Sequence, residues 1–104
     1  MLKSGDVILT SLQFADTFEI KKRPALILFE EYDNIVVAGI TSNKDMKGIK
    51  ISKKDGALKD SIIKTNYLFT ISREMVFKKL FHLNREKKLE VFDEITKKIC
   101  QLTN

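Results

Sequence analysis

The residues whose types could do chemistry together are Arg23 and Thr41. Arg23 opens the run Arg23-Pro24-Ala25-Leu26-Ile27-Leu28-Phe29, and Thr41 closes the run Ile35-Val36-Val37-Ala38-Gly39-Ile40-Thr41. A guanidinium presents a planar fork that holds two phosphate oxygens and stays charged at any useful pH. A hydroxyl both donates and accepts. Together they suit the handling of a phosphate, provided that the fold brings two positions distant in sequence to one place.

The stretch between them supplies the means. Two apolar runs rich in β-branched residues, separated by the polar turn Glu30-Glu31-Tyr32-Asp33-Asn34, read as a pair of strands. Neither run alternates cleanly, so both belong in the middle of a sheet covered on both faces. As an antiparallel hairpin they bring Arg23, at the start of the first strand, beside Thr41, at the end of the second.

The remaining elements frame this hairpin. Gly5-Asp6 turns into a first strand, Val7 to about Leu12. A loop from about Gln13 to Lys22 carries Phe14 and Phe18, either folded onto the core or held on a flap whose faces are open to bases. Ser42 to Gly48 is a polar loop, and Ile49 to Ser52 alternates as a short edge strand would. Lys53-Lys54-Asp55-Gly56 is a turn with Gly56 at positive φ. Ser61 to Asn66 is a strand, and Tyr67 to Ile71 is another or its continuation through a bend. Ser72 caps a single helical turn, and Val76 to Leu83 is the last strand. Asn84 caps a closing helix on which Leu89, Phe92, Ile95, Ile99 and Leu102 form one apolar stripe, expected to pack on the sheet. Cys100, beside that stripe, is expected to be at least half-buried. About seven short strands and one terminal helix indicate a small, strongly curved antiparallel barrel.

Composition bounds the rest. A chain of 104 residues, 43% hydrophobic and 32% charged, suits one globular domain spanning 1–104. No apolar run approaches the ~20 residues of a membrane helix. The N-terminus lacks a signal-peptide pattern, and one cysteine allows neither an intrachain disulfide nor a cysteine-based metal site. A cytoplasmic location is expected. A net charge of +5 favours an anionic partner such as nucleic acid or an acidic protein segment.

Four segments in register carry a resemblance. They are Gly5-Asp6-Val7, Lys22-Arg23-Pro24-Ala25-Leu26-Ile27-Leu28, Val37-Ala38-Gly39-Ile40-Thr41-Ser42-Asn43 and Asp60-Ser61-Ile62-Ile63. In order and approximate spacing the chain resembles the MazF/PemK toxins of type II toxin–antitoxin pairs. Leu68-Phe69-Thr70-Ile71, Lys79-Leu80 and the closing helix extend the likeness over nearly the whole chain. The resemblance implies an SH3-like antiparallel β-barrel of the MazF/PemK/CcdB type with a C-terminal helix, forming a homodimer. It implies metal-independent endoribonuclease cleavage of single-stranded RNA, with no cofactor, and neutralisation by a cognate antitoxin. The family's arginine before proline falls on Arg23 and its threonine after the third strand on Thr41, so both are expected to be catalytic. Residues 11–22 match the family's mobile loop. That loop is short here, and Asn66, Tyr67 and Phe69 replace the acidic, glutamine and arginine residues common in the family.

In that chemistry the RNA 2′-hydroxyl attacks the adjacent phosphate, leaving a 2′,3′-cyclic phosphate and a 5′-hydroxyl. Arg23 suits stabilisation of the phosphorane charge, and its pKa makes it a poor general base. Thr41 hydrogen-bonds the 2′-hydroxyl or a phosphate oxygen. Ser42 and Asn43 add hydrogen bonds, Asn43 to a base edge, although turn chemistry alone accounts for Ser42. Lys22 and Lys64 are candidate phosphate counter-charges. His82 reads as structural or exposed, and Glu30, Glu31 and Asp33 as a solvated turn. A barrel of this kind that binds a protein target such as gyrase, or binds RNA without cutting it, is the alternative reading.

Overall fold

The computed structural model describes residues 1–104. Its strands are β1 (Asp6–Leu12), β2 (Lys21–Glu31), β3 (Asn34–Thr41), β4 (Ile49–Ile51), β5 (Ser61–Ser72) and β6 (Val76–His82), followed by the helix α1 (Arg85–Ile99). They form one antiparallel sheet in the order β4-β5-β3-β2-β1-β6. The hairpin β2–β3 lies at its centre and turns tightly through Tyr32 and Asp33, with Tyr32 in the left-handed region at φ 56°. No helix is long and apolar enough to cross a membrane.

Six strands stand where seven were expected, because Ser61–Asn66 and Tyr67–Ile71 are one bent strand. The bend shows in the pairing of β5 with β3. Ala38 faces Leu68 and Ile40 faces Ile63, so four residues of β5, Lys64 to Tyr67, lie opposite the single residue Gly39.

Both faces of the central strands are buried, which explains why their apolar runs do not alternate. One face carries Ile8, Leu12, Ala25, Ile27, Ile35, Val37 and Ile71 with Phe14. The other carries Val7, Leu26, Ala38, Ile40 and Ile63, packed with Ile49, Ile51, Ala57, Leu83 and Val91. The edges β4 and β6 are not hydrogen-bonded to each other. Side chains fill that seam instead. Phe81 of β6 lies so close to Gly56 that a Cβ there would sit 2.6 Å from its ring, and Gly56 also has φ 106°. The sheet is thus barrel-like without being closed, and Phe81 reaches across the open seam.

Two buried carboxylates tie the helix and the sheet edge together. Asp6, fully buried, accepts from the Lys3 backbone N–H at 2.9 Å and His82 Nδ1 at 2.8 Å, with Lys79 Nζ at 3.3 Å. The far nitrogen of His82, Nε2, lies 3.1 Å from Lys88 Nζ on α1. His82 therefore has a structural place. Asp55 accepts from Ser52 N–H at 3.0 Å and from Asn84 Nδ2 at 2.7 Å. Asn84 in turn caps α1, its Oδ1 accepting from Lys87 N–H at 2.9 Å. Ser72 begins its single turn without a side-chain cap.

The helix departs from expectation. Of its apolar residues only Val91 is buried, with Ile95 partly so, while Leu89, Phe92, Ile99 and Leu102 face outward and Cys100 is exposed. The face toward the sheet is turned from the predicted stripe by part of a turn. The outward residues Phe92, Ile99 and Leu102 line, with Leu28 and Phe29, an apolar groove of about 650 Å³.

Candidate functional site

The register of β2 against β3 pairs Ala25 with Gly39. Ala25 and Gly39 are the last pair of that ladder, and Arg23 and Thr41 lie two residues beyond it, one on each strand. On the other side of β2, Arg23 pairs with Thr10 of β1. Thr10 and Arg23 are paired across β1 and β2, and by strand position Thr41 continues the row at the end of the sheet where β2 begins and β3 finishes.

The three members of this row are occupied differently. Thr10 is buried, and its hydroxyl donates to the Met75 carbonyl at 2.9 Å. Thr41 is 6% exposed, and its Oγ1 accepts from the Asn43 backbone N–H at 3.1 Å. That bond uses a lone pair and leaves the Thr41 O–H free to donate. Arg23 is half-buried, and its Nε is fully buried without any hydrogen-bond partner in the protein. Buried N–H groups in native structures are nearly always partnered, and exceptions cluster where a ligand or a reaction needs them.

What lies against Arg23 is an aromatic ring. Its guanidinium carbon sits 4.0 Å from the centroid of Phe14. Phe14 is itself 2% exposed, edge-on to Tyr67 at 4.8 Å and stacked near Phe69 at 6.0 Å. The loop between β1 and β2 thus divides: Phe14 folds in, and Phe18 is 99% exposed. Burial raises the pKa of the Tyr67 hydroxyl, and the nearby Asp16 carboxylate raises it further.

The other expected site residues are placed as follows. Ser42 and Asn43 are exposed just past Thr41. Asn43 Oδ1 accepts from the Asp45 backbone N–H at 3.0 Å, which aims the amide and leaves its NH₂ free. Lys64 is 9% exposed, donates to the Lys47 carbonyl at 2.8 Å, and lies 5.1 Å from the Tyr67 ring. Its ammonium is engaged. Lys22, next to Arg23 on a strand, points to the opposite face. Its Nζ sits 4.4 Å over the Phe77 ring. By strand position Arg23, Thr41, Ser42 and Asn43 lie at one end of the sheet, Lys64 shares a hollow with Glu94 and Lys98 of the helix, and Lys22 faces away from Arg23. Sequence reasoning left the place of Phe14 open and gave Gly39 no role. The signal for both was Gly39 itself, since a glycine inside a β-branched run marks a close approach to the strand.

Residues 3–102 match the model of a family described as PemK-like, MazF-like toxin of type II toxin–antitoxin system. Among solved structures the fold is similar to Mycobacterium tuberculosis toxin MazF-mt6, with a TM-score of 0.70 and 21% identity over 88% of this chain and 93% of that one. It is also similar to a chain of the MazE–MazF (Form-II) structure from Deinococcus radiodurans, with a TM-score of 0.71 and 13% identity over 94% of this chain and 95% of that one. No curated protein sequence matches. The structural likenesses, at these identities, establish a shared MazF fold. The family match, which runs almost end to end and includes the whole Arg23–Thr41 row, establishes that this chain belongs to the PemK-like, MazF-like toxins of type II toxin–antitoxin systems.

Proposed function

We propose that this toxin is a metal-independent endoribonuclease that cuts single-stranded RNA at the Arg23–Thr41 row. The observation that carries the reading is the buried Nε of Arg23, without a partner in the protein, at the end of the sheet where β3 finishes on a hydroxyl whose proton is free. The RNA 2′-hydroxyl gives its proton to solvent as its oxygen attacks phosphorus, the bond to the 5′-oxygen breaks, and that oxygen takes a proton from solvent or through the Thr41 hydroxyl. Negative charge builds on the non-bridging oxygens between these events. Arg23 is the group that answers this charge, from a site where water is partly excluded and each interaction is stronger. Thr41 donates to a phosphoryl oxygen or to the departing 5′-oxygen. Asn43, with its free NH₂, and Ser42 contact the nucleotide alongside, and Lys64 adds positive potential behind Tyr67. Lys22, on the opposite face, holds flanking phosphates as the strand rounds the sheet end.

The cellular setting follows from the family. The toxin acts in the cytoplasm as a single-domain homodimer and is neutralised by a cognate antitoxin. The MazE–MazF structure from Deinococcus radiodurans supports that pairing by its composition.

The test is incubation of the purified protein with a long single-stranded RNA in excess EDTA, followed by analysis of fragment ends. Discrete cuts with 5′-hydroxyl and 2′,3′-cyclic phosphate ends, abolished by Arg23→Ala, are expected. RNA left intact by the parent overturns the reading.

A further inference from the structure

We propose that Phe14 is the positioning residue for Arg23, and that Gly39 exists to seat its ring. The inference rests on the ribonuclease reading for its consequence in catalysis, though not for its geometry.

A long, flexible guanidinium needs something to fix its orientation before it is useful in a transition state. Hydrogen bonding does not do so at its inner end, because Nε is buried with no partner. The Phe14 ring does. It lies 4.0 Å from the guanidinium carbon, a distance at which a planar cation packs on an aromatic face. The contact is buried, so it is not screened by water.

The ring is fixed in its turn from three sides. Tyr67 meets it edge-on and Phe69 stacks beside it, both from β5 just beyond the bend. Beneath it lies Gly39, where a Cβ would come 2.5 Å from Phe14 Cε1 and 2.8 Å from Cζ. Gly39 has no left-handed backbone to explain it. Its reason is this close approach. One ring thus touches β3 two residues before Thr41 and touches Arg23 on β2, and so gauges the position of the cation against the strand that carries the hydroxyl. Any side chain at Gly39 pushes the ring off its seat. A flexible apolar residue at position 14 fills the space but offers no face.

The experiment combines nuclear magnetic resonance of the free protein with cleavage kinetics. Its variants are Phe14→Leu, Phe14→Tyr and Gly39→Ala, and melting confirms that each is folded. A proton stacked over an aromatic ring resonates upfield, so the Arg23 Hε signal of the parent is expected upfield of its unstructured position. It should stay there in Phe14→Tyr and return toward the unstructured value in Phe14→Leu and Gly39→Ala. In single-turnover cleavage of RNA in EDTA, Phe14→Leu and Gly39→Ala should lower kcat about tenfold or more with KM nearly unchanged, and Phe14→Tyr should restore it. An unshifted Hε in the parent overturns the proposal even if no variant folds. A shift lost in Phe14→Leu with kcat unchanged overturns it too. If the parent cuts no RNA, the ribonuclease reading falls, while the Hε signal still decides whether Phe14 orients Arg23.

Discussion

Two charged side chains on neighbouring strands, Asp6 wholly buried and Arg23 half-buried, are treated in opposite ways. Asp6, at the start of β1, is fully buried and meets a backbone N–H, an imidazole and an ammonium. Burial raises its pKa, but the hydrogen bonds from His82, the Lys3 N–H and Lys79, with the Lys79 charge, outweigh this and hold the carboxyl below its ordinary value. Arg23, on the neighbouring strand, has a buried Nε with no partner and an aromatic ring for company. A satisfied buried charge locks elements together. A half-satisfied one is a cost to the fold and draws attention to its place as a candidate site. The contrast separates the start of β1, where β6 and α1 converge, from the start of β2, where we propose that RNA is cut.

The sharpest way to break this contrast is Arg23→Met, which keeps an unbranched stem against Phe14 and removes the charge and the orphan Nε. Loss of a group that stabilises developing charge typically costs ~10²–10³ in rate, about 3–4 kcal/mol of transition-state stabilisation. Cleavage, measured as kcat/KM on a single-stranded RNA, should fall by at least that factor. The melting temperature should hold or rise, because a buried unsatisfied donor has gone. A large drop in melting temperature would place Arg23 with Asp6 among the structural charges.

Asp6→Ala should do the reverse. It leaves the Lys3 N–H and His82 Nδ1 without their acceptor, and buried groups so stranded cost about 2–3 kcal/mol in total. For a domain of this size that is roughly a 10–20 °C fall in melting temperature. Cleavage per folded molecule, measured well below the melting point, should match the parent. Loss of activity in a fully folded Asp6→Ala protein would mean that the two ends of the sheet are coupled.

The same carboxylate predicts a pH dependence. Asp6 and Asp55 both have folded pKa values below the ordinary 3.8. For Asp55, burial raises the value, and the Ser52 N–H, Asn84, Lys87 and Lys54 together lower it by more. A carboxylate whose pKa is depressed by folding stabilises the protein fully above its unfolded pKa. That stabilisation is lost as pH falls through the folded value. The melting temperature should therefore decline as pH drops below about 4. Asp6→Asn should flatten that decline without removing it, because Asp55 remains. An unchanged acid slope in Asp6→Asn would show that the depression is absent.

These two charges were unequally legible in the sequence. The apolar runs set Arg23 near the start of one strand and Thr41 at the end of the next, which is where β2 and β3 carry them. Asp6 was read only as part of a turn, because its partners, His82 and Lys79, come from the far end of the chain. The helix stripe was misplaced for a related reason. Spacing shows that Leu89, Phe92, Ile95, Ile99 and Leu102 share a side but not whether that side meets this sheet. The structure buries Val91 and leaves Phe92 exposed. The bend in β5 was visible only as a choice between one strand and two. It is resolved by Gly39, which Phe14 packs against and four β5 residues bow around. Phe14 and Phe18 were alike in sequence, and only the hole over Gly39 distinguishes them.

The smallest effect sharpens the contrast most finely. Lys79 reaches Asp6 at 3.3 Å, yet its side chain is 44% exposed. If the satisfaction of Asp6 rests on the buried hydrogen bonds from the Lys3 N–H and His82, the lysine adds only a screened ion pair, worth about 0.2–1 kcal/mol. Lys79→Met should then lower the melting temperature by a few degrees at low salt. The difference from the parent should shrink as salt is raised toward 1 M, where the screening length falls to ~3 Å. His82→Ala removes a bond made within the protein and should cost more and be insensitive to salt. If Lys79→Met matched His82→Ala at every salt concentration, Asp6 would depend on charge pairing rather than on hydrogen-bond satisfaction. The distinction between its site and that of Arg23 would then have to be redrawn in terms of net charge.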